Sequence, residues 1–286
     1  MKTYSRFWIS ITLSSAFLLS FSGVATGQTG VTPGPNTAPN MKTGRDASPL
    51  NAENALEISN PQEDTAFKSF EAISIEQLPK KIKSGEDFLK KYNGSRYRPQ
   101  VYSVLAIAYI QSGQTEKGLA AGETSITLNP NDVRTMAVLS QSLARLYKSS
   151  DPDASAKLAK AEQYGKKAVE LMPTLKKPDA ASDQEFQVYK NESLAMAYSG
   201  LGLVGIRKGS YSAAIPDLEQ ATKLDTKKDP VNYYLLGVAN QNSSHFSEAA
   251  AAFARCAEFP GNMQETCKSG AEEAKKRAST QPKTSQ

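Results

Sequence analysis

The sequence predicts an all-α fold built from stacked helical hairpins, and three observations support this prediction. From about Asn60 onward, apolar residues recur three and four positions apart, which is the period of an α-helix. Helix-start signals punctuate the same region, for example the capping box formed by Ser182 and Glu185. The alternating apolar and polar runs that indicate strands are not evident there. A chain of 286 residues with 39% hydrophobic and 22% charged residues has an ordinary composition for a soluble protein.

The first element is a signal peptide, predicted at residues 1–27. Lys2 and Arg6 form its positive start, residues 7–21 are apolar, and Ala25-Thr26-Gly27 is a small-residue cleavage site. The alternative is an uncleaved membrane anchor, but the apolar run is short for a spanning helix and contains five serines and threonines. Cleavage is expected to leave an exported protein with no stable membrane span, periplasmic or secreted and soluble.

The second element, residues 28–59, is predicted to be a disordered linker. It is rich in proline, glycine, threonine and asparagine and poor in apolar residues, so it cannot bury enough surface to offset its ordering entropy. The net charge of the chain is +5, and loss of the leader's two basic residues would reduce it to +3. So small and evenly spread a charge argues against nucleic acid as a partner.

The remaining elements are helical. Residues 60–97 are predicted to form flanking helices, beginning with an N-cap and a proline at Asn60-Pro61. Residues 98–262 contain about four helical repeats, by the count of recurring positions. A capping helix is expected at residues 263–279, and a disordered tail at residues 280–286.

The repeats are clearest in two stretches. The first stretch follows the order bulky residue, Leu-Gly, turn glycine, aromatic residue, alanine, large apolar residue, alanine and closing leucine. Its residues are Tyr198, Leu201, Gly202, Gly209, Tyr211, Ala214, Leu218, Ala221 and Leu224. The second has Tyr233, Leu236, Gly237, Phe246, Ala249, Phe253, Cys256 and Phe259. A weaker copy lies at residues 102–130. A degenerate copy lies at residues 136–173, with an insertion at residues 149–152 that lengthens its inter-helix turn.

This pattern resembles the tetratricopeptide repeat, and the resemblance covers roughly residues 60–279. The resemblance implies an α-solenoid in which each repeat is two antiparallel helices and neighbouring repeats stack into a superhelix. It also implies that the first helix of each repeat forms most of the concave surface. The expected function is a non-enzymatic protein–protein interaction scaffold of the bacterial cell envelope, which binds a peptide or helix of its partner in that concave groove.

The groove residues follow from the repeat register. They are Gln100, Ser103, Ile107 and Gln111 in the first copy, Arg134, Gln141 and Arg145 in the second, Ser199, Leu203 and Arg207 in the third, and Tyr234, Val238, Gln241 and Asn242 in the fourth. This surface is mixed apolar and amide with three arginines, which suits an apolar anchor and an acidic group. Some of its apolar residues would instead pack between repeats. Tetratricopeptide domains that clamp a terminal carboxylate use Lys and Asn where this chain has Ser103 and Ile107, so that clamp is not expected.

One motif favours a different class of protein. Residues 200–205 read G-x-G-x-x-G, the spacing of a dinucleotide-binding turn. Such a turn follows a strand, whereas the preceding residues 191–198 are helix formers. In repeat register, Gly202 is the small residue of a repeat and Gly209 its turn. We therefore expect no cofactor, and we attribute Gly200 and Gly205 to close helix packing or to a bend.

The two cysteines offer another alternative. Cys256 and Cys267 flank the turn at residues 259–262 symmetrically, so they can face each other across a helical hairpin. A disulfide staple is the simplest interpretation in an oxidising compartment. A thiol oxidoreductase would use the same pair, although the chain has no C-x-x-C motif. His245 is the single histidine, which leaves no metal ligand set or catalytic residues to predict. A structural subunit of an envelope assembly machine is the remaining alternative.

Overall fold

The fold was obtained as a computed structural model, which describes residues 60–179 and 181–281. Within these ranges the chain forms eleven α-helices and no strand. The predicted all-α fold is therefore confirmed. The predicted signal peptide and linker lie outside the described residues, as does the end of the predicted tail.

The helices form successive hairpins. In chain order they are α1 (Pro61–Ala72), α2 (Leu78–Lys91), α3 (Arg98–Gln111), α4 (Thr115–Leu128), α5 (Val133–Leu146), α6 (Ala154–Leu171), α7 (Asp183–Arg207), α8 (Tyr211–Leu224), α9 (Pro230–Asn242), α10 (Phe246–Ala257) and α11 (Gln264–Thr280). A single 3₁₀ turn, Met172–Thr174, follows α6. The hairpins are α3 with α4, α5 with α6, α7 with α8, and α9 with α10. Helices α1 and α2 precede them, and α11 packs against α10.

The helix starts follow from local capping chemistry. The side chain of Asn60 accepts hydrogen bonds from the backbone N–H groups of Gln62 and Glu63, which begins α1. Ser182 and Glu185 form the expected capping box at the start of α7. Asp229 caps α9 through the N–H of Val231, 2.9 Å away. These caps satisfy backbone donors that a helix leaves unpaired at its first turn.

Three of the four hairpins have a left-handed residue in the turn between their helices. Gly113 ends the first helix of one hairpin at φ 80°, and Gly209 ends that of another at φ 72°. Glycine adopts this conformation without steric cost, which explains its place in the repeat pattern. In the last hairpin Ser244 takes the equivalent position at φ 63°.

The Leu-Gly positions of the repeats allow the two helices of a hairpin to approach. A Cβ at Gly202 would overlap Leu218, and a Cβ at Gly237 would overlap Phe253, its Cδ1 lying 2.6 Å away. Leu218 is fully buried and Phe253 is nearly so. The repeat therefore places a small residue on the first helix beneath a large residue on the second, as close packing of helices demands.

The G-x-G-x-x-G motif lies in the interior of α7, a helix of 25 residues. It is therefore not a turn between a strand and a helix. Gly200 faces α5, where an added Cβ would meet Ser140 and lie 2.9 Å from the amide nitrogen of Gln141. Gly205 faces the next helix, where the Cβ of Ala214 would lie 2.8 Å away. Close packing thus accounts for both glycines that the repeat pattern leaves unexplained.

Candidate partner-binding groove

The groove of the superhelix contains a cavity of about 440 Å³. Its walls come from α3, α5, α7 and α9, from the turn between α8 and α9, and from the turn between α10 and α11. The lining residues are Ile107, Arg134, Val138, Gln141, Glu192, Ala195, Met196, Asp225, Lys227, Lys228, Asp229, Pro230, Val231, Asn232, Phe259, Pro260, Gly261, Asn262 and Met263. A volume of this size lies within the range of about 300–1,000 Å³ that is usual for ligand sites.

Apolar side chains form much of the cavity wall. Ile107 and Val138 contribute from α3 and α5, and both are about 5% exposed. Met196 and Val231, from α7 and α9, are half-buried and so retain surface that a ligand can cover. Phe259, from the opposite end of the solenoid, is also half-buried and stacks on Tyr233. The cavity can therefore hold an apolar group away from water.

The carboxylates at the cavity already accept hydrogen bonds from other residues of the chain. Asp225 accepts hydrogen bonds from the backbone N–H groups of Lys227 and Asp229, at 2.9 and 2.6 Å, and from the side chain of Asn232 at 3.1 Å. Its two oxygens hold the α8–α9 turn together. Asp229 accepts the N–H of Val231, and burial raises the pKa of this carboxyl.

Glu192 also interacts with other residues of the chain. Its Oε1 lies 3.2 Å from Nζ of Lys227, in an ion pair between α7 and the α8–α9 turn. The same oxygen accepts a hydrogen bond from the hydroxyl of Thr226 at 3.4 Å. Lys228, the residue after Lys227, is exposed and forms no ion pair with any residue that the structure describes.

The predicted groove residues lie in different environments in the structure. Ile107, Arg134 and Gln141 line the cavity together. Ser199 and Leu203 are buried at 1% and 4% exposure, and Ser199 accepts a hydrogen bond from Gln141 at 3.0 Å. These two residues lie in the contact between α5 and α7 and offer little surface to a ligand.

The other predicted residues lie outside the cavity lining. Ser103 shares a hydrogen bond of 2.6 Å with Thr135, and Tyr234 packs on Phe253 with ring centroids 5.7 Å apart. Gln100 donates to Glu71 at 3.4 Å. The half-buried residues among the rest are Gln111, Arg145, Arg207, Val238 and Gln241, and Asn242 is exposed.

Two of the three predicted arginines face groups of the protein. Burial lowers the pKa of the Arg145 guanidinium, and the charge of Asp229 opposes this shift. The guanidinium of Arg207 lies 6.0 Å from the centre of the Tyr147 ring. Both side chains therefore contribute to contacts within the solenoid.

Sequence reasoning missed the two turns that complete the cavity, residues 225–229 and 259–263. The repeat register selects positions on the first helix of each repeat, so it cannot find residues that lie between helices. The proline and glycine at 260–261 did indicate a turn. Only the curvature of the superhelix, which the sequence does not state, brings that turn to the same cavity as α3.

Cys256 and Cys267 lie at disulfide distance, as their symmetric placement predicts. Their Cα atoms are 5.7 Å apart, within the range that a disulfide requires, and both side chains are fully buried. The eleven-residue separation encloses the α10–α11 turn. The two cysteines thus flank the turn that forms one cavity wall.

Residues 60–179 and 181–281 contain no cluster of three or more His, Cys, Asp or Glu side chains placed to bind a metal. None of the helices described in these ranges combines the length and hydropathy needed to cross a membrane.

Comparisons with known proteins agree with the repeat architecture. The family model for the tetratricopeptide repeat matches residues 195–228, from the middle of α7 through α8 to the following turn. A solved structure of a thermophilic tetratricopeptide-repeat protein from Thermus thermophilus is 19% identical, with a TM-score of 0.50, covering 74% of this chain and 98% of that one. None of the curated proteins matched in sequence.

Two further solved structures are similar at lower scores. MamA from AMB-1 is 17% identical with a TM-score of 0.45, covering 68% of this chain and 95% of that one. A tetratricopeptide repeat protein from Parabacteroides merdae is 16% identical with a TM-score of 0.35, covering 70% and 78%. The family match thus places a tetratricopeptide repeat at residues 195–228, and the fold of the chain resembles that of a solved tetratricopeptide-repeat protein.

Proposed function

We propose that this chain is a non-enzymatic interaction scaffold that binds a peptide or helix of a partner protein in its concave groove. The observation that carries the proposal is the cavity itself, because its lining comes from four first helices and two turns and hence exists only in the assembled solenoid. Recognition of a segment in an apolar groove lined by a few polar groups is a common mode of peptide binding.

A blocked groove tests this proposal. Val231→Arg places a long cation in the cavity, and Gln220→Arg makes the same kind of change at an exposed position of α8 outside the cavity. The wild type and Gln220→Arg should retain a common partner from an envelope extract of the native host, and Val231→Arg should lose it. Equal recovery by all three proteins would contradict groove binding. Circular dichroism would verify that the variants remain folded.

We further propose that the protein acts in the cell envelope after export. The leader at residues 1–27 motivates this part of the proposal, because its charge, apolar run and small-residue end are those of a cleaved signal. N-terminal sequencing of the protein purified from its host should begin at Gln28. An intact Met1 together with recovery in the cytoplasmic fraction would exclude export.

The enzymatic alternative that keeps a specific observation is thiol chemistry at the cysteine pair. Both cysteines are fully buried, and a buried pair is poorly accessible to a substrate disulfide. We therefore assign the pair a structural role. Thiol titration of the native protein should detect no free thiol, whereas two reactive thiols and reduction of a test disulfide such as insulin would favour an oxidoreductase.

A further inference from the structure

The charges around the cavity indicate which kind of ligand it accepts. This inference rests on the proposed groove binding and concerns the chemistry of the bound segment. Asp225 and Glu192 each accept donors from the protein itself, as described above. Asp229 is engaged by the Val231 N–H and lies near Arg145. A cationic ligand would have to compete with these internal partners.

Lys228, in contrast to these carboxylates, is a charged group that an anionic ligand can reach. It lines the cavity, is exposed, and has no ion-pair partner in the part of the chain that the structure describes. Its neighbour Lys227 is already paired with Glu192. An anion arriving at the cavity rim can therefore pair with Lys228 without disrupting an existing contact.

The backbone at Lys228 adds a second, independent observation. Its φ of 54° lies in the left-handed region, where glycine or asparagine is favoured and a lysine costs conformational energy. The tight hydrogen bonding of Asp225 with the residues on both sides fixes this turn. Lysine consequently occupies a position that backbone geometry alone would assign to glycine.

We propose that the cavity binds an acidic peptide segment of the partner protein, with an apolar side chain inside and a neighbouring carboxylate paired with Lys228. The apolar side chain would cover Met196 and Val231, which are half-buried in the free protein. The carboxylate would lie at the α8–α9 turn. This arrangement uses the apolar wall for affinity and the exposed cation for selection between acidic and basic segments.

A peptide array tests the proposal. Full-length protein after signal removal would be applied to random dodecapeptides at low salt, together with the variants Lys228→Glu, Lys228→Gly and Lys223→Glu. Lys223 is an exposed lysine of α8 outside the cavity, so its reversal matches the charge change of Lys228→Glu. Bound peptides should be enriched in apolar residues next to Asp or Glu, and Lys223→Glu should leave this preference unchanged.

The Lys228 variants distinguish an effect of charge on binding from an effect of the substitution on folding. Lys228→Gly relieves the left-handed strain, so its melting temperature should equal or exceed that of the wild type. It should nevertheless bind the selected acidic peptides about two- to fivefold more weakly, as expected for one exposed ion pair. Lys228→Glu should lose more affinity and should shift selection toward peptides with Lys or Arg.

The outcomes distinguish this inference from the function on which it rests. Peptides that bind the wild type and not Val231→Arg, but show no acidic preference or no response to Lys228, would overturn the acidic-segment proposal while leaving groove binding intact. An array without any bound peptide, combined with an envelope pull-down that is insensitive to Val231→Arg, would reject both.

Discussion

Gly200 lies where α7 approaches α5, and this contact leaves no room for a side chain. A methyl group there would meet Ser140 and the amide nitrogen of Gln141. We expect Gly200→Ala to lower the free energy of unfolding by about 1–2 kcal/mol, because overpacking outweighs the helix-propensity gain of alanine. Urea unfolding monitored by circular dichroism would measure the change.

Two companion variants make the Gly200 prediction specific. Gly94→Ala should be close to neutral, since no atom that the structure describes lies within 4 Å of an added Cβ. Ser140→Ala should recover part of the Gly200→Ala loss, because it removes the hydroxyl that the new methyl group meets. A Gly200→Ala protein as stable as the wild type would show that the repeats are not packed closely at this point.

Lys81 and Glu71 are two ionisable residues near the end of α1, the first fully buried and the second half-buried. Lys81 is fully buried, and its ammonium donates to the carbonyls of Phe70 at 2.7 Å and Ile73 at 2.9 Å. These bonds supply donors to carbonyls at the end of the helix, where intrahelical donors run out. Burial raises the pKa of Glu71 to about 7, against the opposing charges of Lys81 and Lys68. Burial lowers the pKa of Lys81 to about 8.

The pKa of Glu71 predicts a pH dependence of stability. Between pH 4.5 and about 7 the folded state holds a proton on Glu71 that the unfolded state has released, so the free energy of unfolding should fall as the pH rises through this window. Glu71→Gln should flatten that part of the profile. Denaturant titrations at pH 5, 6 and 7 would measure both slopes, and identical slopes for the two proteins would contradict the assignment to Glu71.

Sequence reasoning attributed Gly200 and Gly205 to close packing or to a bend and could not name their neighbours. Helical periodicity states which face a residue occupies, and repeat register explains Gly202 and Gly209. The partner of Gly200 is set by the distance between α5 and α7. That distance depends on the packing of whole repeats, so it is not readable from local spacing.

The α10–α11 turn contributes residues 259–263 to one wall of the cavity. Cys256 and Cys267 lie at disulfide distance in the helices on either side of it. A covalent link across a short loop stabilises a fold by about 3 kcal/mol in the loop-entropy description. If the pair forms a disulfide, reduction should loosen this wall while leaving the helices α3 to α9 folded.

A double variant tests the role of the pair. Cys256→Ala/Cys267→Ala should lower the free energy of unfolding by about 3 kcal/mol and weaken binding of the peptides selected on the array. Reductant should reproduce both effects in the wild type and have none on the double variant. Binding that is unchanged by reduction or substitution would separate the turn from ligand recognition.

Helices were more predictable than turns. Caps such as Asn60, Ser182 and Asp229 act within a few residues, so the sequence contains the information that starts α1, α7 and α9. The turns at 225–229 and 259–263 join the site only through contacts between distant parts of the chain. Their sequence indicates that the chain turns but not what the turn faces.

Residues from the first repeat and from the last turn between described helices line the same cavity. Ile107 of α3 and Met263 after α10 both line it. Curvature of a solenoid accumulates from small rotations between successive repeats, and the degenerate second repeat contributes one of them. The family resemblance predicts a concave groove but not the position of a cavity within it, which required the assembled structure.

Photo-crosslinking in living cells of the native host tests the central claim, groove binding, most directly. A photoreactive residue at position 231 lies in the cavity, and one at position 220 lies on exposed α8 outside it. Groove binding predicts a discrete protein adduct from position 231 and no matching adduct from position 220. The same adduct from both positions, or none from position 231, would contradict the account.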